Sequence, residues 1–156
     1  MLDVEVRSLD PVRVAAIRHT GPYVDLGPCF ERIMGWAFGK GIVGPGTRCL
    51  GLYHDNPREV PAERLRSAAC VSVGPDVAAD PSAGVEVIEV EGGEYAVATH
   101  VGPYTQLEAA YDELFGRWLP GSGRTLRDLP CYEVYLNDPR ETKPEELRTA
   151  IHLPLA

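Results

Sequence analysis

The feature that most constrains this chain is that it repeats itself. His19-Thr20-Gly21-Pro22-Tyr23 returns as His100-Val101-Gly102-Pro103-Tyr104, an offset of 81 residues. Upstream, at the same offset, Val4-Glu5-Val6 aligns with Val85-Glu86-Val87 and Ala15 with Ala96. Downstream the offset becomes 82, where Trp36 matches Trp118, Cys49 matches Cys131, Tyr53 matches Tyr135 and Pro57 matches Pro139. Glu63, Leu65, Arg66 and Ala68 then match Glu145, Leu147, Arg148 and Ala150. The change of offset implies a one-residue insertion near the helix. A period of roughly 80 residues is too long for a solenoid, so the chain is a duplicated half-domain. The two half-repeats run over about 2–74 and 84–155, within one domain of 1–156.

Each copy reads in the same order. A first strand (2–9; 85–91) alternates apolar and polar residues, as a half-buried strand does. A turn follows at Asp10-Pro11 or Gly92-Gly93, then a second strand rich in Val and Ala (12–19; 94–101). Pro22 and Pro103 stand where a helix would begin, a position that tolerates proline. The helix carries Leu26, Phe30, Ile33, Met34 and Ala37 in one copy and Leu107, Tyr111, Leu114, Phe115 and Trp118 in the other. That spacing makes one buried face. Glycine and proline then close the helix, and a third strand leads through an Asx-rich turn to a fourth (65–73; 147–155). Two ββαββ units give an α+β fold with eight largely antiparallel strands, two principal helices and pseudo-twofold symmetry.

Composition narrows the function. Fifteen Lys and Arg against 23 Asp and Glu leave a formal charge of −8. A surface that grips nucleic acid needs clustered basic residues, so direct nucleic-acid binding is not expected. An acidic chain suits a cationic small molecule or a basic protein surface. No secretory signal and no bilayer-length apolar run is visible, so a soluble, cytoplasmic protein with no membrane partner is expected. Cys29, Cys49, Cys70 and Cys131 lack CxxC spacing and read as small buried hydrophobes. His19 and His100 precede the Gly-Pro-Tyr turns, where a turn-stabilising hydrogen bond is expected rather than metal ligation. Ser122 lacks the nucleophile-elbow spacing, and Gly39-Lys40-Gly41 lacks that of a phosphate loop. Neither a cofactor nor a metal is implied.

One position breaks the symmetry. Gly51 aligns with Glu133 inside the best-matched strand of the repeat. Alternation puts Cys131, Glu133 and Tyr135 on one face, with Cys49, Gly51 and Tyr53 on the corresponding face of the other copy. Burying an unpaired carboxylate costs several kcal/mol, so Glu133 must be solvated, paired with a cation or held protonated. Two readings stay open: a solvent-facing strand residue, or the polar anchor of a ligand site with space opposite at Gly51.

His-x-Gly-Pro-Tyr, a helix ending near Trp, Glu-x-Tyr-x-Asn-Asp-Pro from Glu133 to Pro139 and Pro-Glu-Glu-Leu-Arg-Thr from Pro144 to Thr149 together resemble the GyrI-like small-molecule-binding family. That family is related to the effector-binding domains of AraC- and MerR-type regulators. The resemblance covers residues 2–155 and implies a groove between the repeats that holds a lipophilic, often cationic ligand. It places the family's buried glutamate at Glu133 and its aromatic lining at Tyr23, Tyr53, Tyr104, Trp118 and Tyr135. With no helix-turn-helix ahead of the first strand, a stand-alone member is expected. The resemblance carries two alternatives: a hydrolase of cyclopropane-bearing or other strained-ring xenobiotics, using Glu133 as its catalytic carboxylate with a tyrosine, and a protein inhibitor of DNA gyrase. It leaves open whether the chain is an enzyme, and whether its partner is a small molecule, gyrase or a regulator.

Overall fold

The computed structural model describes residues 2–156. In chain order, β1 (Val4–Leu9) and β2 (Val12–Thr20) lead into helix α1 (Gly27–Gly39), followed by β3 (Cys49–Tyr53) and β4 (Arg66–Ser72). The second copy repeats this series with β5 (Glu86–Val90), β6 (Gly93–Val101), a helical run, β7 (Cys131–Tyr135) and β8 (Arg148–Pro154). The expected α+β series of strands and helices is present in both copies.

The chain forms two compact units, one of Asp10–Gly92 and one of the chain up to Leu9 together with Gly93–Ala156. In the first, the strands lie in the order β3-β4-β2-β5, and in the second β1-β6-β8-β7, with every pairing inside a unit antiparallel. Each unit therefore takes its opening strand from the other repeat. Asp10-Pro11 and Gly92-Gly93 do not close hairpins; they carry the chain from one unit to the other. Alternation specifies which face a strand buries but not which strand it pairs with. Residue order alone could not show the exchange.

In the unit Asp10–Gly92, α1 buries Cys29, Ile33 and Ala37 against Ala15 and Ile17 of β2 and Ala69 and Val71 of β4. The other unit builds the equivalent core from Ala96, Ala98, Ala110, Leu114, Ile151 and Leu153. Its helical run is not uniform. Between α2 (Leu107–Glu113) and α3 (Leu119–Ser122) lies a π-helical segment, Leu114–Trp118. A π turn closes over one more residue than an α turn. The one-residue change of offset between the copies is thereby absorbed inside the helix, and Trp118 keeps its place on the core.

The Gly-Pro-Tyr turns are built alike. Gly21 and Gly102 have φ of +137° and +140°, a region L side chains seldom enter. Their N–H groups donate to the Leu65 and Leu147 carbonyls at 2.8 Å in both cases. Nε2 of His19 donates to the Pro22 carbonyl at 3.2 Å, and Nε2 of His100 to that of Pro103 at 3.3 Å. Both histidines thus brace their own turns. Among the described residues no cysteine is joined in a disulfide, and Cys29 and Cys70 are buried. No described helix is long and apolar enough to cross a membrane.

Candidate site around Glu133

Strand β7 brings Glu133 into place. Its register sets Glu133 opposite Ile151 and Tyr135 opposite Thr149 on β8. Ile151 belongs to the core under the helical run, so Cys131, Glu133 and Tyr135 share the helix-covered face. Tyr132 lies on the other face, its ring stacked on His152 at 4.2 Å between centroids.

Glu133 is 5% exposed, which rules out the solvent-facing alternative. Two phenols meet the carboxylate. The Tyr111 hydroxyl, from α2, donates to Oε2 at 2.5 Å, and the Tyr135 hydroxyl donates to Oε1 at 2.9 Å. Donors to a carboxylate make short bonds, roughly twice as strong as those between neutral groups. A buried charge needs such partners to be tolerated. Beside it, burial pushes the Cys131 thiol up to about 12, and the Glu133 charge acts in the same direction. Cys131 is thus a packing residue, with negligible thiolate at neutral pH.

Aromatic side chains continue outward. Tyr104 meets Tyr135 edge-on at 5.7 Å, and Phe115 stacks on Tyr111 at 6.4 Å. Trp118 packs half-buried against the core of the same unit. Of the residues expected to line a ligand site, Glu133, Tyr104, Trp118 and Tyr135 therefore lie in one unit, with Glu133, Tyr135 and Tyr104 in a contact chain. Tyr23 and Tyr53 belong to the other unit, where their rings meet edge-on at 4.9 Å. The Tyr23 hydroxyl donates to the Asp55 carbonyl at 2.7 Å and accepts from the Asp55 N–H at 3.0 Å. It holds the turn after β3.

Tyr111 is the residue that the pattern of apolar positions concealed. Its spacing marks it as part of the helix face packed on the core, and its ring does pack there. The hydroxyl is the part that reaches Glu133. A usable signal lay in the repeat itself: Tyr111 aligns with Phe30, so the copy that carries Glu133 also gains a phenol, while the copy with Gly51 has neither. Among the described residues, no group of three or more His, Cys, Asp or Glu side chains is arranged to hold a metal ion.

Comparison with known proteins shows what the chain as a whole is similar to. The family model described as "GyrI-like small molecule binding domain" matches residues 2–156. A Salmonella arizonae protein named DNA gyrase inhibitor is 37% identical over 141 residues, covering 88% of each chain. A Salmonella typhimurium protein of the same name is 33% identical over 144 residues, covering 90% of each. Among solved structures, the EcmrR C-terminal domain matches with a TM-score of 0.78 at 20% identity, covering 100% of this chain and 98% of that one. The last likeness is one of fold.

Proposed function

Because the chain belongs to the GyrI-like small-molecule-binding domain family, we propose that it acts as an inhibitor of DNA gyrase through direct contact with the enzyme. The observation that carries this reading is end-to-end likeness to proteins named for that activity, with nearly the full length of both chains aligned. Charge directs the mechanism. A chain at −8 is repelled by duplex DNA rather than drawn to it. Inhibition then runs through the surface of the enzyme, not by covering its DNA. The test is a supercoiling titration with purified gyrase. Supercoiled product should fall as this chain is added, and Glu133→Gln should inhibit as well as the wild type. Full supercoiling at a large molar excess of the chain would defeat the reading.

The buried carboxylate favours a second reading, compatible with the first. Glu133, held by Tyr111 and Tyr135 with Tyr104 and Trp118 in the same unit, anchors a lipophilic cation: the carboxylate supplies charge in a low-dielectric setting and the rings supply flat apolar contact. Calorimetric titration with aromatic ammonium compounds tests it, saturable heat being expected with the wild type and its loss with Glu133→Gln. Hydrolysis of strained rings would use the same carboxylate as a general acid or base. It is distinguished by product formation, which binding alone does not give.

A further inference from the structure

Thr149 carries an observation that neither reading uses. It lies on β8 directly opposite Tyr135, and its register neighbour on β6 is His100. The residue is 0% exposed, and its hydroxyl oxygen has no hydrogen-bond partner among the described residues. Buried hydroxyls nearly always find a partner, and one left without is an anomaly that calls for a cause.

Position relates this hydroxyl to Glu133. Thr149 and Ile151 stand two apart on β8, and Glu133 faces Ile151. Thr149 and Glu133 are therefore diagonal neighbours on the same face, with Cβ atoms on the order of 7 Å apart. A nitrogen bearing N–H groups, bound on that face, would find two kinds of acceptor there, the carboxylate and the hydroxyl. The repeat contains its own control. Ser67 is the equivalent of Thr149 at the offset of 82, is also buried, and its hydroxyl likewise has no partner. Its strand neighbours are Tyr53 and, on the diagonal, Gly51. The second site has the hydroxyl without the charge.

We propose that Thr149 is a specificity-determining residue of the Glu133 site, and that the site selects cations bearing N–H donors, protonated amines or amidines, over quaternary ones. The proposal rests on the small-molecule reading above. An ammonium with N–H groups donates to the Glu133 carboxylate and to the Thr149 hydroxyl together. A quaternary nitrogen has no donor and leaves the hydroxyl as it was. Both oxygens are shielded in the free protein, so a ligand reaches them once the surrounding tyrosine side chains move aside.

The experiment compares two probes by isothermal calorimetry near neutral pH: 2-phenylethylamine, which is protonated there, and its N,N,N-trimethyl derivative. Each is titrated into the wild type, Thr149→Val and Ser67→Ala, with thermal unfolding recorded in parallel. Valine matches threonine in shape and removes only the hydroxyl. Where a buried hydroxyl lacks a partner, that replacement is neutral or stabilising. Thr149→Val should thus melt at the same or a higher temperature, yet bind the amine about tenfold more weakly, the loss of one hydrogen bond to a charged group. Binding of the trimethyl probe should not change, and Ser67→Ala should bind both probes as the wild type does. Unchanged amine affinity in Thr149→Val, or equal weakening toward both probes, would overturn the assignment while leaving a ligand site at Glu133 intact. If the wild type takes up neither probe, the small-molecule reading fails and this inference with it.

Discussion

Replacing Tyr111 with phenylalanine isolates the contact on which the Glu133 geometry turns. The ring stays, so its packing on the Ala96–Leu114 cluster and its stack on Phe115 are kept. What goes is one O–H donor to a 95%-buried carboxylate, whose bond is 2.5 Å long. Hydrogen bonds to charged groups contribute roughly 1.5–3 kcal/mol. The bond from Tyr135 at 2.9 Å remains, so the carboxylate is weakened rather than abandoned, and a cost of about 2 kcal/mol follows. For a chain of this size, that lowers Tm by about 4–8 °C. Urea unfolding followed by tryptophan fluorescence should show a lower midpoint with an unchanged slope, since the surface exposed is the same. Combining Tyr111→Phe with Glu133→Gln completes a cycle, and the two should be coupled by about 1–2 kcal/mol, as expected for groups in contact. A cost below about 0.5 kcal/mol for Tyr111→Phe, or strict additivity in the cycle, would show that the Tyr111 hydroxyl does not support the Glu133 carboxylate.

Other outcomes follow from the same contacts. The Arg66 guanidinium and backbone hydrogen-bond the Asp55 carboxylate, at 2.8 Å in the shortest of these bonds, and hold it below the usual carboxylate range. The folded value is the lower one. Its stabilising contribution is therefore full above the unfolded value of about 3.9 and is lost as pH falls through the folded value. Asp55→Asn should lower Tm at neutral pH, by an amount that shrinks below about pH 4, as thermal scans across that range would record. Gly102→Ala forces a side chain into φ +140° with its Cβ 3.0 Å from the Gln106 amide oxygen, and should cost about 1–3 kcal/mol in urea unfolding. Gly35→Ala, in α1 with open space around it, should instead stabilise by about 0.5–1 kcal/mol in the same assay. Burial holds the Cys131 thiol well above the usual cysteine range, so at pH 8 mass spectrometry should find it unmodified by iodoacetamide in the folded protein and modified after urea unfolding.

Much of this architecture is written into local pattern. The alternation of Val85 to Val90 and the spacing of Leu26, Ile33 and Ala37 mark the elements that form, because strand and helix periods are properties of neighbouring residues. The repeat also carries the departure at Glu133, and the change of offset marks a one-residue insertion near the helix, which the structure accommodates as a π turn. Pairing is another matter. β1 lies against β6 and β5 against β2, and nothing in Val4-Glu5-Val6 or Val85-Glu86-Val87 distinguishes these partners from the adjacent strands β2 and β6. The site shows the same division. Glu133 and Tyr135 stand out in a strand two residues apart, whereas Tyr111 reaches the carboxylate from another element, its apolar bulk hiding the hydroxyl that makes the contact. Tyr23 illustrates the converse: the Gly-Pro-Tyr motif makes it conspicuous, and its hydroxyl ties down the Asp55 turn.

Inhibition by contact with the enzyme requires that this chain associate with gyrase directly. Sedimentation velocity of purified gyrase with this chain, run without DNA and again with a duplex present, reports whether a complex forms and on what it depends. Co-sedimentation without DNA, undiminished in Glu133→Gln, is the expected result of contact with the enzyme at a surface apart from the buried carboxylate. If the chain sediments alone in both runs, or joins gyrase only when DNA is present, contact with the enzyme is not how it acts.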